Sequence, residues 1–140
     1  MTRVLHVLDH SLPLHSGYTF RTRAILKAQQ ALGLEVRGIT GLRHIAEGPD
    51  HEEADGIIFH RTRGKASGPA GLREWREINL LAEAIVALAT EWRPDLLHAH
   101  SPALCGKAAL IAARRLGLPL VYEIRAFWED AAVSPSTTWK

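Results

Sequence analysis

The stretch RVLHVLD, Arg3 to Asp9, followed after a short polar loop by HSGYTFRTRAILKAQQALG, His15 to Gly33, decides how this chain folds. Val4 to Leu8 is a short apolar run with β-branched residues, bounded by Asp9 and Pro13, and it reads as a buried strand. From Gly17 the period changes. Phe20, Ala24, Ala28 and Ala31 recur at helical spacing while Arg21, Arg23 and Lys27 face elsewhere, and Gly33 is placed to end the helix. A strand, a polar loop and a glycine at a helix start together offer backbone N–H groups and a helix dipole to an anion.

Outward from there, Val36–Thr40 and Gly56–His60 read as the second and third strands. A basic, glycine-rich loop, RTRGKASGPAG, covers 61–71. The second helix carries an apolar stripe of Trp75, Ile78, Ala82, Ile85, Ala89 and Trp92, and Pro94 stops it. Asp95–His100 is a fourth strand. Ser101 is placed as an N-cap with Pro102 at the first helical position. The third helix turns Leu104, Ala108, Ile111 and Ala112 inward and ends at Gly117, and Pro119–Ile124 is the fifth strand. The order β-α-β-β-α-β-α-β predicts an α/β fold: a Rossmann-like parallel sheet with helices on both faces. Right-handed crossovers place the first and fourth strands side by side at its centre. The loops after Leu8, His100 and Ile124 then surround one crevice.

Composition sets the class. With 140 residues, 46% hydrophobic and 23% charged, the chain has the size and balance of one ordinary globular domain. A formal net charge of +2 makes no case for nucleic acid. The one cysteine, Cys105, excludes an internal disulfide. His6, Asp9 and His10 interrupt the N-terminal apolar run, so it is no signal peptide, and no apolar stretch is long enough to span a bilayer. These features predict a cytoplasmic protein. After Arg125 the sequence AFWEDAAVSPSTTWK shows no further strand-like runs, which reads as the N-terminal piece of a longer protein.

Four places carry candidate chemistry. Ser16-Gly17 lacks the full G-x-G-x-x-G, and no acid ends the second strand, which weakens NAD and S-adenosylmethionine readings. His98 and His100 share one strand face, either as a polar wall of the crevice or as buried hydrogen-bonded imidazoles. Two imidazoles fall short of a zinc ligand set even with Cys105 nearby in sequence. In YEIRAFWED, Glu123, Arg125, Glu129 and Asp130 gather where the crevice opens; Arg125 suits a phosphate or closes a salt bridge to a glutamate. The basic loop and helix start, with Arg61, Arg63, Lys65, Arg73, Arg76, Leu72 and Trp75, is either a solvated surface or a contact with an anionic membrane.

The segments VLHVLDHSLPLHSGYTFRTRAILKAQQALGLEVRGIT (4–40) and PDLLHAHSPALCGKAALIAARRLGLPLVYEIRAFWED (94–130) resemble the N-terminal domain of the group 1, family four, retaining glycosyltransferases. Within that family they are most similar to the branch associated with the exosortase (PEP-CTERM) and exopolysaccharide system. The resemblance implies a GT-B architecture, with residues 1–140 as the acceptor-side domain and the C-terminal donor-binding domain absent. It maps the donor-phosphate loop onto Ser16, Gly17 and Tyr18, with Ser16 standing where the family usually has the first of two glycines. A family histidine after the fifth strand corresponds to Arg125, which can neutralise a leaving phosphate but cannot move a proton near neutral pH. That proton role then passes to His98 or His100. His15, Arg21, Ser101, Glu123 and Glu129 are expected on the acceptor side of the cleft.

The resemblance further implies no metal, a nucleotide-diphosphate sugar donor, a glycan or lipid-linked acceptor, and no cofactor bound by this chain, which is inactive alone. Its alternatives are a Rossmann module for NAD or S-adenosylmethionine, and a non-catalytic interaction domain. Leu120, Val121, Tyr122 and Ile124 form an apolar strand expected at the sheet edge, where a second copy can pair.

Overall fold

β1 (Arg3–Leu8) occupies the middle of a six-stranded sheet in the computed structural model, which describes residues 1–12, 16–42, 44 and 48–124. The chain continues through α1 (Gly17–Ala31), β2 (Glu35–Thr40), β3 (His51–Ala54), β4 (Ile57–Arg61), α2 (Ala70–Trp92), β5 (Leu96–His100), α3 (Ala103–Leu116) and β6 (Leu120–Glu123). Across the sheet the order is β3-β4-β2-β1-β5-β6. Every neighbouring pair is parallel except β3 with β4. The first and fourth predicted strands, now β1 and β5, do lie side by side, with Val4 opposite Leu96 and His6 opposite His98.

Alternation along β1 decides the layers. Leu5 and Val7 face α2 and α3, joining Leu97, Ala99, Leu81, Ile85, Ala108 and Ala112 in the larger core. Val4 and Leu8 face α1, joining Leu26, Val36, Ile57 and Phe59 in the smaller one. His6 lies between Val4 and Leu8 in β1, so its side chain falls on the α1 face of the sheet.

Several expectations need correction. β3 has no apolar run to announce it, yet Asp55 (φ 53°) and Gly56 (φ 77°) join it to β4 in a two-residue hairpin with both residues left-handed. In α1 the inward residues are Thr19, Thr22 and Leu26; Phe20 is 50% exposed, and Ala24, Ala28 and Ala31 are exposed too. The helix turns its threonines inward because Leu26 is the large apolar side chain that anchors its packed face. α3 starts one residue later than the Ser101 cap would set it: Pro102 is the N-cap, follows a cis Ser101–Pro102 peptide, and makes no side-chain cap bond. Trp75, expected in the α2 stripe, is 61% exposed, whereas Ile78, Ala82, Ile85, Ala89 and Trp92 are buried. Gly117 (φ 69°) ends α3 as the sequence predicts. Among the described residues no helix is long and apolar enough to cross a membrane.

Gly38 shows how tightly the sheet is filled. A Cβ there would come within 2.6 and 2.9 Å of the Phe59 ring and 3.1 Å of Leu8 Cδ1. We expect Gly38→Ala to destabilise the fold by about 1–3 kcal/mol, because the ring beside it has to shift within a close-packed layer. Urea denaturation checks this, and an unchanged midpoint contradicts the packing described.

Candidate functional site

The carboxyl ends of β1, β5 and β6 open on the same rim, since the three strands are adjacent and parallel. Asp9 and His10 follow β1 directly, and Ser16 precedes α1. Ser16 is extended (φ −160°, ψ 164°) and its Oγ accepts the Thr19 N–H at 3.0 Å, a side-chain N-cap. His10 bridges back: Nδ1 lies 2.9 Å from Asp9 Oδ2 and Nε2 lies 2.9 Å from Ser16 Oγ. The Asp9 N–H donates to the Tyr18 hydroxyl at 3.0 Å, and the His10 and Tyr18 rings pack with centroids 4.7 Å apart. Tyr18 therefore braces the loop with its side chain.

This Asp9–His10–Ser16 chain escaped the sequence reading, although Asp-His directly after a strand was its available signal. Its serine is engaged as a helix cap, so the chain orders the loop and is no poised nucleophile. Gly17, next along, holds the first helical position, where the amide has no intrahelical acceptor. Among the described residues, a Cβ on Gly17 would have nothing within 4 Å.

Deeper in the rim, three imidazoles meet. His98 and His100 share a face of β5 as predicted, and His6 of β1 joins them. His98 and His100 stack nearly parallel, 4.5 Å apart at 3°, and His6 stacks on both at 4.6 and 5.1 Å. His6 Nδ1 is 2.8 Å from His100 Nε2, and His6 Nε2 is 2.7 Å from Gln29 Oε1 of α1. His98 Nε2 is 3.0 Å from Glu123 Oε1, so Glu123 pairs with a histidine. His6 and His100 are fully buried. Cys105 is buried in the core on the other face of the sheet and takes no part.

Arg61, at the end of β4, ties the rim together from below. Its guanidinium bonds Ser11 Oγ (2.6 Å), the Leu12 carbonyl (2.7 Å) and Glu52 Oε1 (2.7 Å), with its side chain 2% exposed. Burial lowers its pKa and the Glu52 carboxylate opposes that shift; an arginine stays charged regardless. Arg61 is expected from sequence in a basic loop that is either solvated or in contact with a membrane; its burial corrects both readings for this residue. Arg63 is likewise held, by the carbonyls of Gly48 (2.8 Å) and Pro49 (3.0 Å). His44 sits beside this network. Its Nδ1 accepts the Ser11 N–H at 3.3 Å, while its buried Nε2 has no hydrogen-bond partner among the described residues.

The remaining predicted site residues divide. Arg21 is exposed on α1. Ser101 is buried, and its N–H donates to the Glu123 carbonyl at 3.0 Å, locking the ends of β5 and β6. His15, Arg125 and Glu129 lie outside the described residues.

A mostly parallel sheet wound this way, with helices packed on it and polar side chains gathered at its carboxyl rim, defines a Rossmann-like domain. Residues 16–140 match the glycosyl transferase 4-like domain, and the chain belongs to that family. It is 31% identical, over 124 residues, to a GDP-mannose-dependent alpha-mannosyltransferase of Mycolicibacterium smegmatis, matching 85% of this chain and 31% of that protein. The chain thus spans about a third of that relative's length. Among solved structures, sucrose-phosphate synthase from Thermosynechococcus elongatus superposes with a TM-score of 0.61 at 15% identity, over 89% of this chain and 32% of that one. The C-terminal domain of the PF1911 hydrogenase from Pyrococcus furiosus gives the same TM-score, 0.61, at 15% identity, over 86% of this chain and 89% of that one. Likeness at such low identity shows the shared fold alone. The fold is the one implied by the resemblance to GT-B glycosyltransferases.

Buried His44 and half-buried His60 set a pH dependence. The pKa values of His44 and His60 are both lowered from 6.5 to about 4, by burial first and then by Arg61 for His44 and Arg37 for His60. The unfolded chain therefore takes up protons before the folded one does. The stability these two histidines contribute is full above about pH 6.5 and falls as the pH drops toward 4, by at most about 1.4 kcal/mol per pH unit for each. Urea unfolding between pH 7 and 4.5 measures the slope, and His44→Leu is expected to make it shallower. A slope untouched by that substitution contradicts the burial of a neutral His44.

Proposed function

We propose that this chain is the acceptor-side domain of a retaining glycosyltransferase. The reaction moves a sugar from a nucleotide diphosphate to a hydroxyl of a glycan or lipid-linked acceptor, in exopolysaccharide assembly of the exosortase-associated kind. Membership of the glycosyl transferase 4-like family, over a match that begins at the helix cap Ser16, carries the reading. The mannosyltransferase relative makes GDP-mannose the first donor to try.

In this reading the negative charge that grows on the departing diphosphate faces the Gly17 amide and the positive end of the α1 dipole. His10, Asp9 and Tyr18 hold that amide in place through the bonds described above, so it need not reorganise during the reaction. Arg125 supplies a cation for the leaving phosphate, and the proton of the acceptor hydroxyl passes to the imidazoles at the end of β5. A second domain of the GT-B kind provides the rest of the donor contacts. The domain works in the cytoplasm at the inner membrane face. Lys65, Arg73 and Arg76, beside Leu72 (42% exposed) and Trp75 (61% exposed), are the residues for that contact. No metal-dependent step enters this reading.

Gly17 separates function from folding. Because a Cβ there meets nothing within 4 Å among the described residues, Gly17→Ala is expected to leave the melting temperature unchanged or raise it. In the full-length protein, Gly17→Val blocks close approach of a phosphate and is expected to lower sugar transfer from GDP-mannose by roughly 100-fold, the scale of losing one positioned donor. Full transfer by a folded Gly17→Val protein overturns the reading. Activity of wild type with another nucleotide sugar in place of GDP-mannose preserves the reading and reassigns the donor.

A further inference from the structure

Two imidazoles stand at the end of β5, and their surroundings differ in a way that decides which can take a proton from an acceptor hydroxyl. We propose that His98 takes it, at Nδ1, and that Glu123 is the positioning residue that leaves the lone pair on that nitrogen. This inference rests on the sugar-transfer reading and narrows it to one ring atom.

The hydrogen bonds assign the nitrogens. A carboxylate only accepts, so the 3.0 Å bond between His98 Nε2 and Glu123 Oε1 puts the ring proton on Nε2 and the lone pair on Nδ1. The Ser101 N–H, donating to the Glu123 carbonyl at 3.0 Å, fixes the backbone from which that carboxylate reaches. His98 Nδ1 makes no hydrogen bond among the described residues. His100 is placed otherwise. It is fully buried, and its Nε2 lies 2.8 Å from His6 Nδ1, while the other nitrogen of His6 lies 2.7 Å from Gln29 Oε1. The Gln29 carbonyl oxygen accepts from His6 Nε2–H, which makes His6 Nδ1 the acceptor for His100 Nε2–H. His100 and His6 thus form a wall: their rings stack on His98 at 4.5 and 4.6 Å and hold its plane.

Access separates the two rings as well. The side chain of His98 is 11% exposed and that of Glu123 32%. Val121 lies opposite His98 on β6, on the same face of the sheet, and is 49% exposed, so an acceptor approaches His98 from the β6 side. As the bond from the anomeric carbon to the diphosphate breaks, its electron pair leaves with the diphosphate. The acceptor oxygen forms the new bond to that carbon, and its proton moves to His98 Nδ1. The imidazolium so formed lies against the Glu123 carboxylate, which offsets its charge without taking the proton. The ring then gives the proton to water before the next turnover.

The test joins kinetics to imidazole nitrogen NMR in the full-length protein. Transfer of labelled sugar to a membrane extract, from GDP-mannose or from the nucleotide sugar that replaces it, gives kcat and the donor KM separately. His98→Asn is expected to lower kcat by roughly 100-fold with the donor KM unchanged, the scale of losing a general base. Glu123→Gln keeps the shape and removes the charge, and is expected to lower kcat by roughly 10-fold. Added to His98→Asn, it is expected to cost nothing more, because it acts through that ring. NMR of the wild type is expected to show His98 protonated at Nε2 and bare at Nδ1, and Glu123→Gln to admit the other tautomer. Full kcat in a folded His98→Asn protein overturns the proposal, as does a wild-type His98 protonated at Nδ1. A Glu123→Gln loss that persists in the His98→Asn background overturns the role of Glu123. A wild type that transfers no sugar overturns the transfer reading and this inference with it, whereas transfer that is indifferent to His98 overturns this inference alone.

Discussion

Along β1 and β5, residues Val4 to Val7 run beside Leu96 to Ala99 in parallel register, and that seam carries both the core and the rim. On one face it contributes Leu5, Val7, Leu97 and Ala99 to the larger apolar cluster. On the other it brings His6 against His98 and His100. Burying imidazoles in a sheet interior costs several kcal/mol unless their nitrogens find partners. Here they find one another, Gln29 and Glu123. A slip of one residue in β1 would turn His6, and a slip in β5 would turn His98 and His100, into the larger apolar cluster and carry Leu5 or Leu97 away from it. The register is therefore fixed from both sides of the sheet.

From that seam the rim follows. The end of β1 delivers Asp9 and His10 to the cap of α1, and the end of β5 delivers Ser101, whose amide reaches across to the Glu123 carbonyl of β6. Arg61 reaches over from β4 to hold Ser11 and Leu12, so the loop after β1 is tied to the far half of the sheet. A buried arginine is tolerated because Glu52 and the loop acceptors satisfy its fork. The start of α1 is thus held by side chains from several elements.

How much of this was legible depended on which signal each residue sends. β1, β5, the ends of α2 and α3 and the central pairing of β1 with β5 could be read, because apolar runs, Pro94 and Gly117 mark them and crossovers are right-handed. β3 could not be read from hydropathy: HEEA is polar, and only the Asp55-Gly56 turn signals its hairpin. The packed face of α1 was misjudged because threonine hides its methyl behind a hydroxyl, so Thr19 and Thr22 read as solvent-facing. His98 and His100 were visible as a pair from strand alternation. Their third member was not, since His6 stands alone within an apolar run and joins them only through tertiary pairing, more than ninety residues away in sequence from His100. Arg61 reads as one more charge in a basic loop until Glu52 and the β1 loop close around it.

The arrangement rests on the three rings meeting between adjacent strands, and imidazole nitrogen NMR with ring-proton Overhauser contacts measures that directly. The account predicts contacts from His6 to both His98 and His100, and a His6 ring protonated at Nε2, where Gln29 accepts. Three histidines without mutual contacts, exchanging protons freely with water, would contradict the strand pairing on which the rim is built.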